Sequence, residues 1–170
     1  VAAGGGSILS FKDGRFQVGP ESAGAIPGPA SYGKGGPLTV TDCNVLLGKL
    51  HPEHFPSVFG PNGNDQLDVE VVRKKFTELS KYIAQQTKKP QMDEISMAEG
   101  FLKIVIENMA NAIKKISIQK GYDVTNYTMN CFGGAGGQHA CHVADSLGIT
   151  NVLVHPYAGV LSAYGMGLAE

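Results

Sequence analysis

The sequence carries almost no net charge, because its 170 residues hold 14 Lys and Arg against 15 Asp and Glu, a formal charge of −1. A chain so balanced has no general electrostatic affinity for nucleic acid or for an anionic membrane surface. Cysteine is also scarce. The three cysteines have no regular spacing, which argues against a disulfide framework and for a reducing, cytoplasmic compartment. With 42% hydrophobic residues the chain is not disordered, and we expect an ordinary buried core.

Targeting and membrane segments are missing as well. The first residues, 1–7, contain no initiator Met and no basic stretch before an apolar one, so they do not form a signal peptide. Such a start is typical of an internal piece, and we expect the chain to be a fragment of a larger polypeptide. The longest charge-free run, 146–169, is broken by four glycines and Pro156. It therefore predicts a buried strand followed by a buried helix rather than a membrane span.

Glycine is abundant, and its 23 residues are spread unevenly. Residues 1–64 are rich in glycine and proline, residues 65–123 hold most of the charged side chains, and residues 124–170 are again rich in glycine and nearly free of charge. This composition predicts a charged helical middle between two loop-rich parts.

Two amphipathic helices are predicted in the middle part. Asp68 opens the first, whose apolar residues recur at helical spacing, and Pro90 ends it. The second begins near Asp93 or Ser96, where the pattern fits a capping box, and Gly121 lies just past its end. Both helices are interpreted as scaffold.

The last part predicts a βαβ unit, which places the protein in the α/β fold class. A short strand at 127–132 precedes a glycine turn at 133–137 and a helix at 138–147. A buried strand at 151–154, parallel to the first, is followed by another helix at 160–168. Strand, turn, helix and strand in this order form a right-handed crossover.

The glycine turn is the main candidate for a binding site, and it consists of Gly133, Gly134, Ala135, Gly136 and Gly137. Backbone without Cβ atoms can approach a phosphate or a flat ring closely, and a helix N-terminus offers N–H groups to an anion. The turn is neither a Walker A loop nor a clean dinucleotide fingerprint. Nucleotide contact and a simple tight turn without a ligand both remain open.

The first part of the chain contains a second glycine cluster at 4–6. It precedes a predicted hairpin whose turn is Asp13-Gly14. The cluster either borders a ligand or serves only as a flexible lead into the hairpin. The segment 19–30 has too many prolines and glycines for a helix or a central strand, and it predicts an ordered loop of functional importance.

Asp42 is the candidate catalytic residue of the first part. It lies at the start of a predicted short helix, which either Thr41 or Asp42 caps. Its carboxylate is also suited to bind a metal-bound water or a substrate hydroxyl. Capping alone explains its presence, so both interpretations stay open.

No protein-bound metal site is predicted. Cys131, His139, Cys141 and His142 lie close in sequence, but their spacing is not that of structural zinc ligands. Cys131 and Cys141 are instead expected to be small buried hydrophobic residues. Cys43 has no evident base partner, and no serine lies in the sequence context of a nucleophile.

Five segments, in order along the whole chain, resemble the hydantoinase A-type region of the hydantoinase/oxoprolinase family. They are Ala-Gly-Gly-Gly-Ser-Ile at 3–8, the Pro- and Gly-rich segment at 18–30, Gly-Gly-x-Leu-Thr-Val-Thr-Asp-x-Asn at 35–44, Phe-Gly-Gly-Ala-Gly-Gly-Gln-His-Ala-Cys at 132–141, and 158–169. Two further details, Gly-Gly-Gln-His-Ala and the Phe-Gly-Pro-Asn at 59–62, are most similar to the family's ATP-dependent 5-oxoprolinase branch.

The resemblance implies one lobe of an actin/sugar-kinase/Hsp70-like ATPase fold, with residues 1–170 as a partial hydantoinase A-type domain. The turn at 133–137 would face adenosine, and the segment 158–167 would connect to the other lobe. The cofactors implied are ATP and Mg²⁺. The residues implied to contact ATP are Gly4, Gly5, Gly6, Gly133, Gly134, Ala135, Gly136, Gly137 and His139.

The implied reaction opens 5-oxo-L-proline to L-glutamate with hydrolysis of ATP to ADP and phosphate. The family's phosphate-binding turns are absent from these 170 residues, so the piece alone is not expected to turn over ATP. The partner would be the remainder of its own polypeptide or a hydantoinase B-type subunit, in a homo-oligomer. The alternatives are a hydantoin-opening subunit, a ketone-carboxylase subunit, a nucleotide-binding module without catalysis, and an interaction domain whose glycines only make turns.

Overall fold

The computed structural model describes residues 4–169, which form two compact units. The first unit comprises residues up to 105 and the second begins at 106, so the division falls inside helix α3 (Glu94–Gln119). It does not coincide with the changes in composition near residues 64 and 123. Each unit contains its own pair of strands, and the mixed α/β class predicted from the sequence is confirmed.

The first unit starts with the predicted hairpin, in which β1 (Ser7–Lys12) pairs antiparallel with β2 (Arg15–Ser22). Asp13 and Gly14 have φ of 51° and 72°, the left-handed pair that a two-residue hairpin turn requires. The hairpin prediction is therefore confirmed. β2 is longer than expected, since it continues through Pro20, which a strand at a sheet edge tolerates.

Three helices complete this unit: α1 (Val40–Leu46), α2 (Val69–Thr87) and the first part of α3. The α2 side chains of Val72 and Phe76 are fully buried. The ring of Phe101, on α3, lies 4.6 Å from the ring of Phe16 on the hairpin. The first part of each apolar stripe predicted from helical spacing thus lies in the core of this unit, whereas Ile116, the last residue predicted for the α3 stripe, is 58% exposed.

The caps of the two long helices differ in how well the sequence predicted them. Asp68 caps α2 as expected, because its Oδ1 accepts a hydrogen bond from the Val71 N–H at 2.9 Å. For α3, the first of the two predicted starts, Asp93, is confirmed, whereas the capping box at Ser96 is wrong. Asp93 is the capping residue, and its Oδ1 accepts from the Ser96 N–H at 2.9 Å. The helix begins at Glu94.

Removing the α2 cap is expected to have a modest, local effect. In Asp68→Ala the Val71 N–H loses its acceptor at the helix start, which costs about 1 kcal/mol, or roughly fivefold faster hydrogen exchange at Val71. Asp68→Asn keeps a side-chain oxygen and should exchange like the wild type. Unchanged exchange at Val71 in Asp68→Ala would show that the cap contributes nothing.

The second unit contains the predicted βαβ arrangement. β3 (Thr128–Cys131) pairs in parallel with β4 (Asn151–Val154), and α4 (Ala140–Leu147) forms the crossover. The strand, the helix and the parallel pairing are confirmed. The core of the unit consists of Ala110, Val143, Ala144, Leu147 and Ile149.

The burial expected for the end of the chain is wrong. On β4, Leu153 and Val154 are 54% and 56% exposed, and α5 (Leu161–Leu168) has no buried residue. A parallel strand becomes buried when layers cover both faces of its sheet, and in this two-stranded sheet the paired residues Met129 and Val152 pack into the core with α3 and α4. In the part of the chain that the structure describes, no helix has the length and apolar character needed to cross a bilayer.

Candidate functional site

The glycine turn of the second unit begins directly after β3. Cys131, the last residue of the strand, is buried, whereas the next residue, Phe132, is exposed. Gly133 has a backbone φ of +94°, a conformation that residues other than glycine rarely adopt. Its N–H donates a 2.8 Å hydrogen bond to the carbonyl oxygen of Ala158. The turn is therefore tied to the segment that follows β4.

Most of this turn is bare. A Cβ atom added at Gly133, Gly134 or Gly137 would meet no atom within 4 Å, whereas one at Gly136 would lie 3.2 Å from the Cys131 sulfur. Ala135 precedes a short 3₁₀ turn at 136–138, so the helix begins at Ala140 instead of the predicted Gln138. The backbone thus leaves open space on one side, which is the shape that close approach of a ligand requires.

His139 links the glycine turn to the crossover helix. Its backbone N–H donates to the Gly136 carbonyl at 3.3 Å, and its own carbonyl accepts from the Val143 N–H at 3.0 Å. The side chain is 2% exposed. A contact between His139 and a nucleotide, implied by the family resemblance, stays a prediction.

Three aromatic side chains that the sequence reasoning did not single out cluster after β4. The ring centroids of His155, Tyr157 and Tyr164 lie 5.2 to 5.7 Å from one another, with ring planes inclined by 36° to 46°. The Nδ1 atom of His155 accepts a hydrogen bond from the Tyr157 N–H at 3.0 Å. Their proximity in sequence, at the carboxyl end of a parallel strand, was the available signal, since ligands of open α/β sheets bind there.

In the first unit, the second glycine cluster lies against the start of α1. The carbonyl oxygen of Gly5 accepts from both the N–H and the hydroxyl of Thr41, at 2.9 and 3.0 Å. The Gly6 carbonyl accepts from the Ala23 N–H at 2.9 Å, while a Cβ added at Gly4 would have nothing within 4 Å. A Cβ added at Gly6 would lie 2.8 Å from the Ser22 hydroxyl oxygen, so Gly4 is open in the manner of the turn at 133–137 and Gly6 is not.

Asp42 is fully buried and acts as a clamp on the neighbouring loop. Its Oδ1 accepts from the Ser31 N–H at 2.8 Å, and its Oδ2 accepts from the Ala30 N–H at 3.0 Å. Oδ2 also accepts from the N–H and hydroxyl of Thr39, at 2.8 and 3.1 Å. Thr39, rather than Thr41 or Asp42, is the capping residue of α1, because the helix begins at Val40. Asp42 occupies the third helical position, from which it reaches back to the cap.

The electrostatic setting of Asp42 follows from this burial. Loss of solvent raises the pKa of the carboxyl, and the hydrogen bonds from Ser31, Thr39 and Ala30 oppose part of the rise. Burial also raises the pKa of the adjacent Cys43 thiol, with a further contribution from the charge of Asp42. Cys43 is therefore suited to packing rather than to nucleophilic attack.

The other two cysteines differ in burial. Cys131 is buried, as expected, whereas Cys141 is exposed, so the prediction for Cys141 is wrong. It lies outside the buried stripe of α4, which consists of Ala140, Val143, Ala144 and Leu147. Among residues 4–169, no group of three or more His, Cys, Asp or Glu side chains is arranged to hold a metal ion.

Comparison with solved structures defines the class of protein. The chain superimposes over its full length on the nucleotide-free acetone carboxylase of an ATP-dependent acetone carboxylation study, with a TM-score of 0.82 and 25% identity, covering 23% of that chain. It also matches the ATP-dependent caprolactamase from Pseudomonas jessenii, with a TM-score of 0.78 and 34% identity over 95% of this chain and 22% of that one. The fold is therefore that of the matching segment, less than a quarter, of each of these two ATP-dependent proteins.

Sequence comparison then places the chain in a family. The family model for hydantoinase/oxoprolinase matches residues 1–170, and the protein belongs to this family. Among curated relatives, the 5-oxoprolinase of Dictyostelium discoideum is 51% identical over the whole chain. The chain spans only 13–14% of the length of the first curated relatives that it matches.

Proposed function

We propose that this chain forms a nucleotide-contacting wall of an ATP-dependent enzyme that opens a cyclic amide, with 5-oxo-L-proline as the substrate and L-glutamate as the product. The observation that carries the proposal is the bare glycine turn at 133–137, between a parallel strand and the crossover helix. The name of the Dictyostelium relative supports the choice of substrate. The caprolactamase neighbour supports ATP-dependent opening of a lactam more generally.

The glycine turn has open space beside its backbone in which a nucleotide could lie. Side chains at Gly133, Gly134 or Gly137 would occupy this space, which is open because glycine has no Cβ atom. Together with Ala135, Gly136 and His139, these residues would hold the nucleoside part by backbone contact. Bound ATP with Mg²⁺ would supply the phosphoryl group and the driving force for opening an amide that resists water. The ion needs only one or two carboxylates besides the phosphates.

In the first unit, the glycine cluster at 4–6 and Asp42 have different roles in this proposal. Gly4 is the open member of its cluster, and Gly5 and Gly6 hold it against α1 and Ala23. The Asp42 carboxylate is surrounded by donors from the protein itself. We therefore propose that Asp42 positions the loop that borders Gly4–Gly6, and that its effect on catalysis is exerted through this loop.

The activity belongs to the longer protein in this proposal, since the chain spans a small part of its relatives. The partner would be the remainder of the polypeptide or a hydantoinase B-type subunit, within a homo-oligomer; the caprolactamase relative is named as a subunit alpha. A cytoplasmic location is consistent with three cysteines that form no disulfide.

A ketone-carboxylase subunit is the second candidate, because acetone carboxylase gives the higher of the two TM-scores reported above. The same nucleotide-contacting segment would bind ATP in both reactions. The two are distinguished in the full-length protein by the compound that stimulates phosphate release: 5-oxoproline for the lactamase, or acetone with bicarbonate for the carboxylase.

The proposal is tested by filling the turn. In the full-length protein, Gly134→Trp should weaken ATP binding about tenfold or more, because the indole would occupy the open space beside the backbone and a steric clash of about 1.4 kcal/mol is a factor of ten. Gly134 has open space and no positive φ, so Gly134→Ala should fold like the wild type and, with only one methyl group in that space, bind ATP more tightly than Gly134→Trp does. Isothermal titration with ATP measures both. Wild-type ATP affinity in a folded Gly134→Trp variant would contradict the proposal.

A further inference from the structure

The three rings after β4 form a compact aromatic surface that is partly exposed. The centroids of His155, Tyr157 and Tyr164 mark a nearly equilateral triangle with sides of 5.2 to 5.7 Å. Because the planes are inclined by 36° to 46°, no ring covers the face of another by parallel stacking. Tyr157 and Tyr164 remain 55% and 41% exposed.

Backbone hydrogen bonds hold this surface beside the glycine turn. The Ala158 N–H donates to the His155 carbonyl at 2.8 Å, and the Ala158 carbonyl accepts from the Gly133 N–H at 2.8 Å. The Val160 N–H donates to the Tyr157 carbonyl at 2.9 Å. The imidazole of His155 adds a fourth bond, from the Tyr157 N–H to Nδ1. His155 and Tyr157 are thus fixed to the same small framework as the turn, and Tyr164 joins them through its ring contacts.

The surroundings select for an uncharged, flat partner. A Cβ added at Gly159, next to this framework, would meet nothing within 4 Å, so the backbone is open here too. Residues 124–170 contain no Lys or Arg at all and only Asp145 and Glu170 as acidic side chains. Phosphates or a carboxylate-bearing substrate would find no counter-charge in this segment, whereas a neutral heteroaromatic ring packs well on tyrosine faces.

We propose that Tyr157 and Tyr164, supported by His155, form the surface on which the purine base of the nucleotide packs. The inference rests on the proposed function, because it assigns the base of the same ligand whose backbone contacts lie at the glycine turn. The base contributes affinity here through its ring faces, and the triphosphate is bound outside this segment. His155 is a positioning residue, since its Nδ1 fixes the Tyr157 backbone.

The experiment compares two probes on the full-length protein by isothermal titration: ATP and inorganic tripolyphosphate, which lacks the base. Tyr157→Leu and Tyr164→Leu keep apolar bulk but remove the aromatic face, and each should weaken ATP binding about tenfold. Tyr157→Phe and Tyr164→Phe keep the face and should stay within about twofold of the wild type. Binding of tripolyphosphate should be the same in all four variants.

The outcomes separate this inference from the proposed function. Wild-type ATP affinity in both leucine variants, with loss of binding in Gly134→Trp, overturns the aromatic surface and leaves the nucleotide wall standing. Equal losses for ATP and tripolyphosphate also overturn it, because the base would then not be the group recognised. Failure of the wild-type protein to bind ATP overturns both. Hydrogen exchange at the Gly133 amide, which should be unchanged, confirms that each variant retains the framework.

Discussion

Cys43 in the Asp42→Ala variant is expected to react with a thiol reagent about 150-fold faster than in the wild-type protein. Asp42 accepts four hydrogen bonds in a fully buried position, so its removal leaves the Ser31 N–H and the Thr39 N–H and hydroxyl without this acceptor, while the Ala30 N–H keeps the Pro37 carbonyl as a second acceptor. Leaving buried donors unpaired costs about 3 kcal/mol, which corresponds to roughly 150-fold. Cys43 is buried beside Asp42, and its labelling therefore reports opening of this region.

Controls separate loop fixation from other effects. The reagent reacts in the opened state, where the thiol is solvated, so the raised pKa of the folded-state Cys43 does not govern the comparison. Asp68→Ala removes a carboxylate that accepts one hydrogen bond from Val71, and it should leave Cys43 labelling nearly unchanged. Unaltered labelling in Asp42→Ala, together with loss of 5-oxoproline-dependent turnover, would establish direct catalysis by Asp42 instead.

Gly36→Ala is the second variant for which a large effect is expected. A Cβ at Gly36 would lie 1.9 Å from the Gly28 carbonyl oxygen and 3.1 Å from that of Pro29, so the backbone segments 28–30 and 36–37 would have to move apart. The same two segments are joined by a 2.9 Å hydrogen bond from the Ala30 N–H to the Pro37 carbonyl oxygen. Overpacking of this kind costs about 3 kcal/mol, and hydrogen exchange at Ala30 should accelerate about 150-fold.

The neighbouring glycine provides a matched control. Gly35 has φ of +78° but open space around its Cβ position, so Gly35→Ala is strained only by its backbone conformation. That strain costs about 1 kcal/mol, or roughly fivefold at Ala30. Equal hydrogen exchange at Ala30 in Gly36→Ala and Gly35→Ala would show that the two backbone segments move apart without a cost in free energy.

Several elements were predictable because their causes are local. The Asp13-Gly14 pair has the left-handed conformations of a two-residue hairpin turn, and the strands on either side follow from it. The Asp68 cap and the apolar stripe of α2 likewise depend only on residues of that helix and its cap. The order of strand, glycine turn, helix and strand at 128–154 leads to a parallel pair by the handedness of such crossovers.

Other features were missed because they depend on residues distant in sequence. The cap of α1 is an exception, because Thr39-x-x-Asp42 is a local capping box that the sequence contains; only the further bonds of Asp42 to residues 30–31 depend on a distant segment. Cys141 and the end of β4 are exposed because burial depends on which layers are present, not on the apolar character of the strand. The contact among the rings of His155, Tyr157 and Tyr164 requires the turn at 158–160, which brings Tyr164 of α5 beside the other two rings.

The amino-acid sequence alone determined the α/β class, the hairpin, the two long helices and the position of the bare glycine turn, because short-range turn chemistry and periodicity act within a few residues. Tertiary structure alone decided that Asp42 serves a loop, that Gly36 touches Gly28 and that the aromatic rings meet beside Gly133. Those outcomes depend on hydrogen bonds and van der Waals contacts between segments whose approach no local pattern specifies.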